Sequence, residues 1–363
     1  MKLIFTGPDP ASAHGSHAGG QLTATTGFAR FAKERGIAIE WVDTLQSNFP
    51  PPSLPSRILR AAGRLIRFSV LALRGGADGA ILFAGAGASF VERSLMALVA
   101  KIAGLPTLLM IRDGNFHLAY HRSTAFRRFV RAMLRVPDVI GVQGDSWRAL
   151  LTDAGVPDDR IAVVPNWLDS PPSLPEMDRP RSATLRLAYV GWLTAAKGVP
   201  ELLEAMRILV DDGVDAKLTM AGGGDLMERS RQQASLPQLA ERIEVAGWLS
   251  PQKVSDVLAR SDVLVLPSHA EGFPNVVMEA FAHGLPVIAT PVGAIPDSVC
   301  DGRTGSIVPV GDPQAIAAAA SAYAADPSLV EIQGRHALEA ARTIHDRTVN
   351  CGKLLAALGL EAG

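Results

Sequence analysis

The chain has 363 residues, 48% of them hydrophobic and 20% charged, a globular composition for two or three domains that excludes a disordered chain. Two cysteines, Cys300 and Cys351, exclude a disulfide scaffold or a cysteine-ligated zinc site and fit a reducing cytosol. The net charge of −1 conceals an asymmetry: residues 1–170 carry 19 Lys+Arg against 13 Asp+Glu and residues 171–363 carry 16 against 23, and two halves of opposite sign predict two domains.

Lys2–Thr6 is a short apolar run before Gly7-Pro8 and predicts the first strand. A loop rich in Gly, His and Ser ends in Gly19-Gly20, and Gln21–Arg35 then shows a helical apolar face that stops at Gly36, where a C-terminal glycine cap belongs. Ile37–Val42 predicts a strand, the proline-rich Asn48–Ser56 a loop, and Arg57–Leu73 an apolar and basic helix. Gly79–Phe83 (strand), Phe90–Ile102 (helix), Thr107–Ile111 (strand), Ser123–Arg135 (helix), Val139–Val142 (strand), Ser146–Ala154 (helix capped by Asp145 or Ser146) and Ile161–Val164 (strand) complete the first series.

Ser170–Arg181, rich in Pro, Ser and charge, predicts an interdomain linker. A second alternation follows, with strands at Leu185–Val190, Ala216–Ala221, Ile243–Ala246, Val263–Leu266 and Pro286–Ala289. Helices are predicted between them at Pro200–Val210, Leu226–Ala234, Ser250–Ala259 and Pro274–His283. Short apolar strands alternating with amphipathic helices predict doubly wound parallel sheets. The expected division is a first domain at 1–170, a linker at 171–183, a second domain at 184–342 and a last helix within 343–363. Ligands are then expected at the carboxyl ends of the strands, in a cleft between the domains.

No secretory signal is expected, because the apolar run after Lys2 is too short, and the longest apolar stretch, Leu95–Ile111, is broken by Lys101 and Pro106. The basic half lacks interleaved aromatic and basic residues, with aromatics only 6% of the chain, so no nucleic-acid partner is expected. The expected location is the cytoplasm.

The segment Val263–Pro291 carries the most chemistry. A buried strand runs into Pro267-Ser268-His269-Ala270-Glu271-Gly272-Phe273-Pro274-Asn275, and Pro274 suits the first turn of a helix. Glu271 then stands in a loop at a strand's carboxyl end, Glu279 about a turn into the helix, and N–H groups around Asn275–Val277 form an anion site between the two. Carboxylates that accept from hydroxyls beside a phosphate-binding helix end suit a sugar nucleotide; the plainer alternative is a surface acid and an acid near a helix start. Gly191-Trp192-Leu193-Thr194-Ala195-Ala196-Lys197-Gly198 opens another helix. Gly191 lets backbone approach a ligand and Lys197 offers a point charge to a diphosphate, against the alternative of a solvated surface lysine.

These residues resemble the retaining family 4 glycosyltransferases (glycosyl transferases group 1). Glu271 and Glu279 look like the family's E-x7-E pair, in the run Glu271-Gly272-Phe273-Pro274-Asn275, Gly284-Leu285-Pro286, Pro291-Val292-Gly293, Asp301-Gly302 and Thr304-Gly305. The resemblance is strong over residues 185–325 and weak before them. It implies the α/β GT-B fold: two Rossmann-like doubly wound parallel-sheet domains facing a central cleft, with the final helix, Asp346–Leu360, crossing back. It implies a metal-independent hexosyltransferase with no cofactor, whose partners are a nucleotide-sugar donor and a glycan or glycolipid acceptor of cell-surface polysaccharide assembly. Lys197 and the Pro274–Val277 amides would hold the diphosphate, Glu271 the sugar hydroxyls and Glu279 the ribose. Gly19 and Gly20, Gly191, Gly222 and Gly224, Leu249 after Gly247-Trp248, and Phe273, Pro274, Asn275 and Val276 would line the donor.

Two positions depart from the family pattern: Trp192 stands where arginine is usual, and Arg112 takes the place of the N-domain histidine, with His117 five residues on as a substitute for it. A non-hydrolysing sugar-nucleotide epimerase and a non-catalytic sugar-nucleotide-binding partner remain the alternatives. Arg57, Arg60, Arg64 and Arg67 fall at helical spacing among Ile58, Leu59, Leu65 and Ile66, which predicts an interfacial helix on the cytosolic face of an anionic membrane; a core helix with solvated arginines is the alternative.

Overall fold

The computed structural model describes residues 1–12, 20–45, 52–169 and 184–361. Gly19, residues 48–51 of the proline-rich loop and the linker at 171–183 lie outside the described residues, and the rest of that loop runs into α2 from Leu54. The chain divides into two compact units, Met1–Ser170 with Asp346–Gly363, and Pro171–His345.

The first unit alternates β1 (Lys2–Gly7), α1 (Gly20–Glu34), β2 (Ala38–Asp43), α2 (Leu54–Arg74), β3 (Gly79–Ala84), α3 (Ala88–Ile102) and β4 (Thr107–Ile111). It continues with α4 (Asn115–Arg122), α5 (Thr124–Met133), β5 (Val139–Val142), α6 (Arg148–Asp153) and β6 (Ile161–Val163). Its six strands are all parallel, in the order β2-β1-β3-β4-β5-β6. β3 and β4 are buried at every residue, the continuous apolar run that a strand covered on both faces requires. Two local expectations change. Asp145 does not cap a helix but takes the Arg148 guanidinium at 2.6 Å, and the segment opens with a 3₁₀ turn at Asp145–Trp147. The stretch after Arg112, for which the sequence predicts no element, contains α4: Asp113 Oδ1 accepts from Asn115 N at 2.9 Å at the start of that helix.

The second unit contains β7 (Leu185–Val190), α7 (Val199–Asp211), β8 (Ala216–Ala221), α8 (Met227–Ala234), β9 (Ile243–Gly247), α9 (Pro251–Arg260), β10 (Val263–Leu266) and α10 (Asn275–Ala282). β11 (Val287–Ala289), β12 (Gly305–Ile307), α11 (Pro313–Ala325) and α12 (Ser328–Thr343) complete it. The parallel order β12-β11-β10-β7-β8-β9 is the Rossmann order, which reverses direction between its first and fourth strands, here β7 and β10. The last helix, α13 (Arg347–Ala357), belongs to the first unit. Asp346 caps it by accepting from Val349 N at 2.8 Å. Its Cys351, Leu354 and Leu355 share one core with Phe5, Phe28 and Phe83, and Arg347 grips both carboxylate oxygens of Glu34 at 2.8 Å.

Arg112 follows β4 and turns into the core of the first unit, 8% exposed. Its guanidinium lies over the rings of Phe83 at 4.5 Å and Trp167 at 5.7 Å, and Nη2 donates to Asn166 Oδ1 at 2.7 Å. Nε and Nη1 are buried without a hydrogen-bond partner. Burial pulls its pKa down to about 9, so it stays a cation at neutral pH with no carboxylate beside it. A buried, unpaired charge costs more than an apolar side chain of similar length. Arg112→Met should therefore leave stability unchanged or raise it by about 1–2 kcal/mol, measured by denaturant unfolding. A loss above about 2 kcal/mol would show that the bond to Asn166 outweighs the desolvation.

Candidate functional site

The switch point of the second sheet brings two loops together. β7 runs into Gly191-Trp192-Leu193 and a 3₁₀ turn at Ala195–Lys197 before α7. β10 runs into Pro267–Pro274 before α10. Gly198 joins the turn to α7 with φ +70°, and a Cβ there would stand 2.0 Å from Pro267 O. Only glycine meets both conditions, since a side chain is strained in that backbone region and would push the loops apart. The contact is closed by His269 N donating to Ala196 O at 2.9 Å. Across it Lys197 Nζ donates to Glu271 Oε1 at 2.6 Å, and Ser268 Oγ donates to the same oxygen at 2.8 Å.

The Glu271 loop is held from behind. Thr290 Oγ1 donates to Ser268 O, and Ala294 N to Gly272 O at 2.8 Å, so the segment around Pro291-Val292-Gly293 acts as a buttress. Phe273 stacks on His345 with ring centroids 5.1 Å apart and planes at 30°. His345 is fully buried, with Nε2 3.1 Å from Ser298 Oγ. Ser268, Thr290 and His345 support the loop but carry no local signal in the sequence, because a hydroxyl or an imidazole far along the chain gains this role only on folding.

Pro274 offers no side-chain cap to α10, and no acid stands in its first turn, which leaves the positive end of the helix dipole available to an anion. Val277 N donates to Pro274 O at 3.1 Å, which removes one of the amides that the sequence assigned to the anion site. Glu279 lies one turn into the same helix. Burial alone, with no charged neighbour contributing, pushes its carboxyl above the ordinary range.

The glycine turn after β8 fits against the Gly191 loop. A Cβ on Gly222 would stand 1.8 Å from Gly191 O, and one on Gly224 would stand 2.4 Å from Leu193 O. Leu193 N donates to Gly223 O at 2.9 Å. Trp192 packs edge-to-face on Trp248, centroids 4.8 Å apart at 84°, and Leu249 beside it is half-buried. Tyr189 Oη donates to Trp192 O at 2.7 Å, and burial raises that phenol far enough to keep it a donor. Trp192 thus replaces a cation with an aromatic contact, and Lys197 is the one lysine or arginine in the two switch-point loops.

The structure therefore joins Gly191, Lys197, Gly222, Gly224, Glu271, Phe273, Pro274, Asn275, Val276 and Glu279 in loops and helix starts at the carboxyl edge of one sheet. Gly20, Arg112 and His117 belong to the other unit. Gly20 opens α1 and is exposed. Arg112 is core. His117 is exposed on α4, its ring 4.5 Å from His121, and burial followed by the neighbouring His121 lowers its pKa. Among the described residues no group of three or more His, Cys, Asp or Glu could hold a metal ion, and no helix is long and apolar enough to cross a membrane.

Residues 184–326 match the family described as glycosyl transferases group 1. Over partial lengths the chain is 35% identical to the capsular polysaccharide biosynthesis glycosyltransferase CapM of Staphylococcus aureus, covering 41% of this chain and 39% of CapM. It is 29% identical to the amylovoran biosynthesis glycosyltransferase AmsK of Erwinia amylovora, covering 47% and 44%. The chain spans less than half the length of these curated relatives. In three dimensions it is similar to HepE of Anabaena, solved with UDP and glucose, at TM-score 0.73 and 18% identity over 99% of each chain. It is also similar to sucrose-phosphate synthase of Thermosynechococcus elongatus, at TM-score 0.76 and 18% identity over 97% and 96%. Residues 184–326 are thus similar to the glycosyl transferases of group 1, and the two Rossmann-like units have the GT-B fold.

Proposed function

We propose that the chain is a cytoplasmic glycosyltransferase that moves a hexosyl group from a nucleotide-diphosphate sugar to a glycan or lipid-linked acceptor in cell-surface polysaccharide assembly, with retention and without a metal. The observation that carries this is the Lys197–Glu271 pair at the switch point, with Glu279 one turn into the adjoining helix. The polysaccharide assignments of CapM and AmsK and the UDP and glucose bound by HepE support it.

Without donor, Lys197 and Glu271 neutralise each other. A diphosphate draws the Lys197 ammonium away, aided by the N-terminal dipole of α10, and the released Glu271 carboxylate accepts from hydroxyls of the sugar. Glu279 accepts from the ribose diol. The bond from the anomeric carbon to the phosphate oxygen then breaks as the acceptor oxygen bonds to the same face, and the acceptor proton passes to the departing phosphate oxygen. Charge grows on the diphosphate as it leaves, where preorganised positive groups do most for the rate. Turnover of nucleotide sugars with and without a crude glycolipid acceptor, with the product anomer read by NMR, tests this. Acceptor-dependent transfer with retention supports it; an epimerised nucleotide sugar, or no turnover, overturns it.

Glu279→Gln should weaken donor binding by about 1.5–3 kcal/mol, the worth of a charge-assisted hydrogen bond, with the fold intact. Calorimetry should also show wild-type affinity lost as pH falls through the raised pKa of Glu279, at a higher pH than an ordinary carboxylate, because only the ionised form accepts both bonds. Affinity that is unchanged in the variant would remove the ribose role. Lys197→Ala should lower kcat by about a hundredfold or more and raise donor KM less, because with Trp192 in place the two switch-point loops hold no second lysine or arginine to compensate. Wild-type kcat in steady-state assays would show that the lysine serves only to pair Glu271.

A further inference from the structure

α2 presents to solvent a face opposite in character to that of an ordinary surface helix. Phe68 and Ala72 fasten its inner side to the first unit, and Arg64 is turned inward to Glu92 of α3, with Nε–Oε1 2.7 Å and Nη2–Oε2 2.9 Å. On the outer side Leu59, Ile66 and Leu73 are 75%, 64% and 63% exposed. They are spaced seven apart, as are the exposed Arg60, Arg67 and Arg74. Seven residues make close to two turns, so the two sets form neighbouring rows along a helix about 30 Å long. Four arginines at three-four-three spacing are thus not one working face: Arg64 leaves the set for a part-buried ion pair, Arg57 is exposed but falls outside the row, and Arg74 extends it.

We infer that α2 seats the chain on an anionic bilayer, lying in the plane of the interface. The apolar row enters the boundary of the acyl chains and the Arg60–Arg67–Arg74 row lies along the headgroup phosphates, the arrangement of an interfacial helix. Charge complementarity selects this occupant. α2 contains no Asp or Glu, so two copies packed on this face would bring arginine rows together with no counter-charge, whereas an anionic lipid surface supplies one along the whole row. The inference goes beyond the donor chemistry, and its failure would leave donor calorimetry unchanged.

The test is co-sedimentation with vesicles of equal phosphatidylglycerol and phosphatidylcholine, and of phosphatidylcholine alone, at low and high salt. The wild-type chain is compared with Arg60→Ser/Arg67→Ser/Arg74→Ser and Leu59→Ser/Ile66→Ser/Leu73→Ser. All six positions are exposed, and unchanged melting curves confirm that both variants fold. The wild type should pellet with the anionic vesicles at low salt and be released at high salt, and the arginine variant should lose about a hundredfold in partitioning. The apolar variant should lose partitioning that high salt does not reproduce. Wild type that stays in solution, variants that pellet equally well, or a solution dimer dissociated by the apolar variant would each overturn the inference, the last by giving the face to a second copy.

Discussion

Lys197 Nζ meets Glu271 Oε1 at 2.6 Å because two loops far apart in sequence leave neighbouring strands, β7 and β10, whose connections diverge in opposite directions. That divergence opens a crevice at the carboxyl edge of the sheet, and the loops must approach closely to line it. Gly198 permits the approach, since its φ of +70° and the 2.0 Å from a would-be Cβ to Pro267 O tolerate no side chain. Once the loops touch, two opposite charges lie side by side and half-screened from water, and each holds the other where a ligand with both phosphate and hydroxyl groups would need them. The rest of the second unit serves this contact: Thr290 and Ala294 brace the Glu271 loop, and His345 supports Phe273 from beneath.

The alternation of strands and helices was legible because a buried parallel strand is a continuous apolar run and a covering helix carries a 3.6-residue stripe. Most elements lie within one or two residues of their sequence-based bounds, and Thr107–Ile111 and Val263–Leu266 coincide with them. α4, β12, α11 and α12 have no counterpart among the sequence-based elements, and for two of them the physical reason is plain. α11 is mostly alanine, with too little contrast between its faces to register as amphipathic. α4 was hidden because Asp113, an Asx residue that reads as loop, stands at its start.

At the site, the acids and the lysine stood in recognisable spacing, but their pairing could not be read because spacing says nothing of which side chains meet across a sheet. Arg112 shows the limit most clearly. By position it takes the place of the N-domain histidine, yet it packs on Phe83 and Trp167, and its last carbon and nitrogens fill a core shared with α13. The charge asymmetry was legible in total but not in distribution. Of the basic excess in the first half, Arg64, Arg93 and Arg112 are drawn inward, and what remains on α2 is the Arg60–Arg67–Arg74 row beside an apolar one, with Arg57 exposed outside the row.

The central claim is that the switch point of the second unit is built for a nucleoside diphosphate. Thermal unfolding of the chain with UDP, GDP, ADP or dTDP tests it directly. At a hundredfold excess over its dissociation constant, the correct diphosphate should stabilise the protein by about 2.7 kcal/mol, an upward shift in Tm of roughly 5–10 °C for a unit of this size, and inorganic phosphate at the same concentration should not. No shift with any of the four, or an equal shift with phosphate alone, would contradict the account.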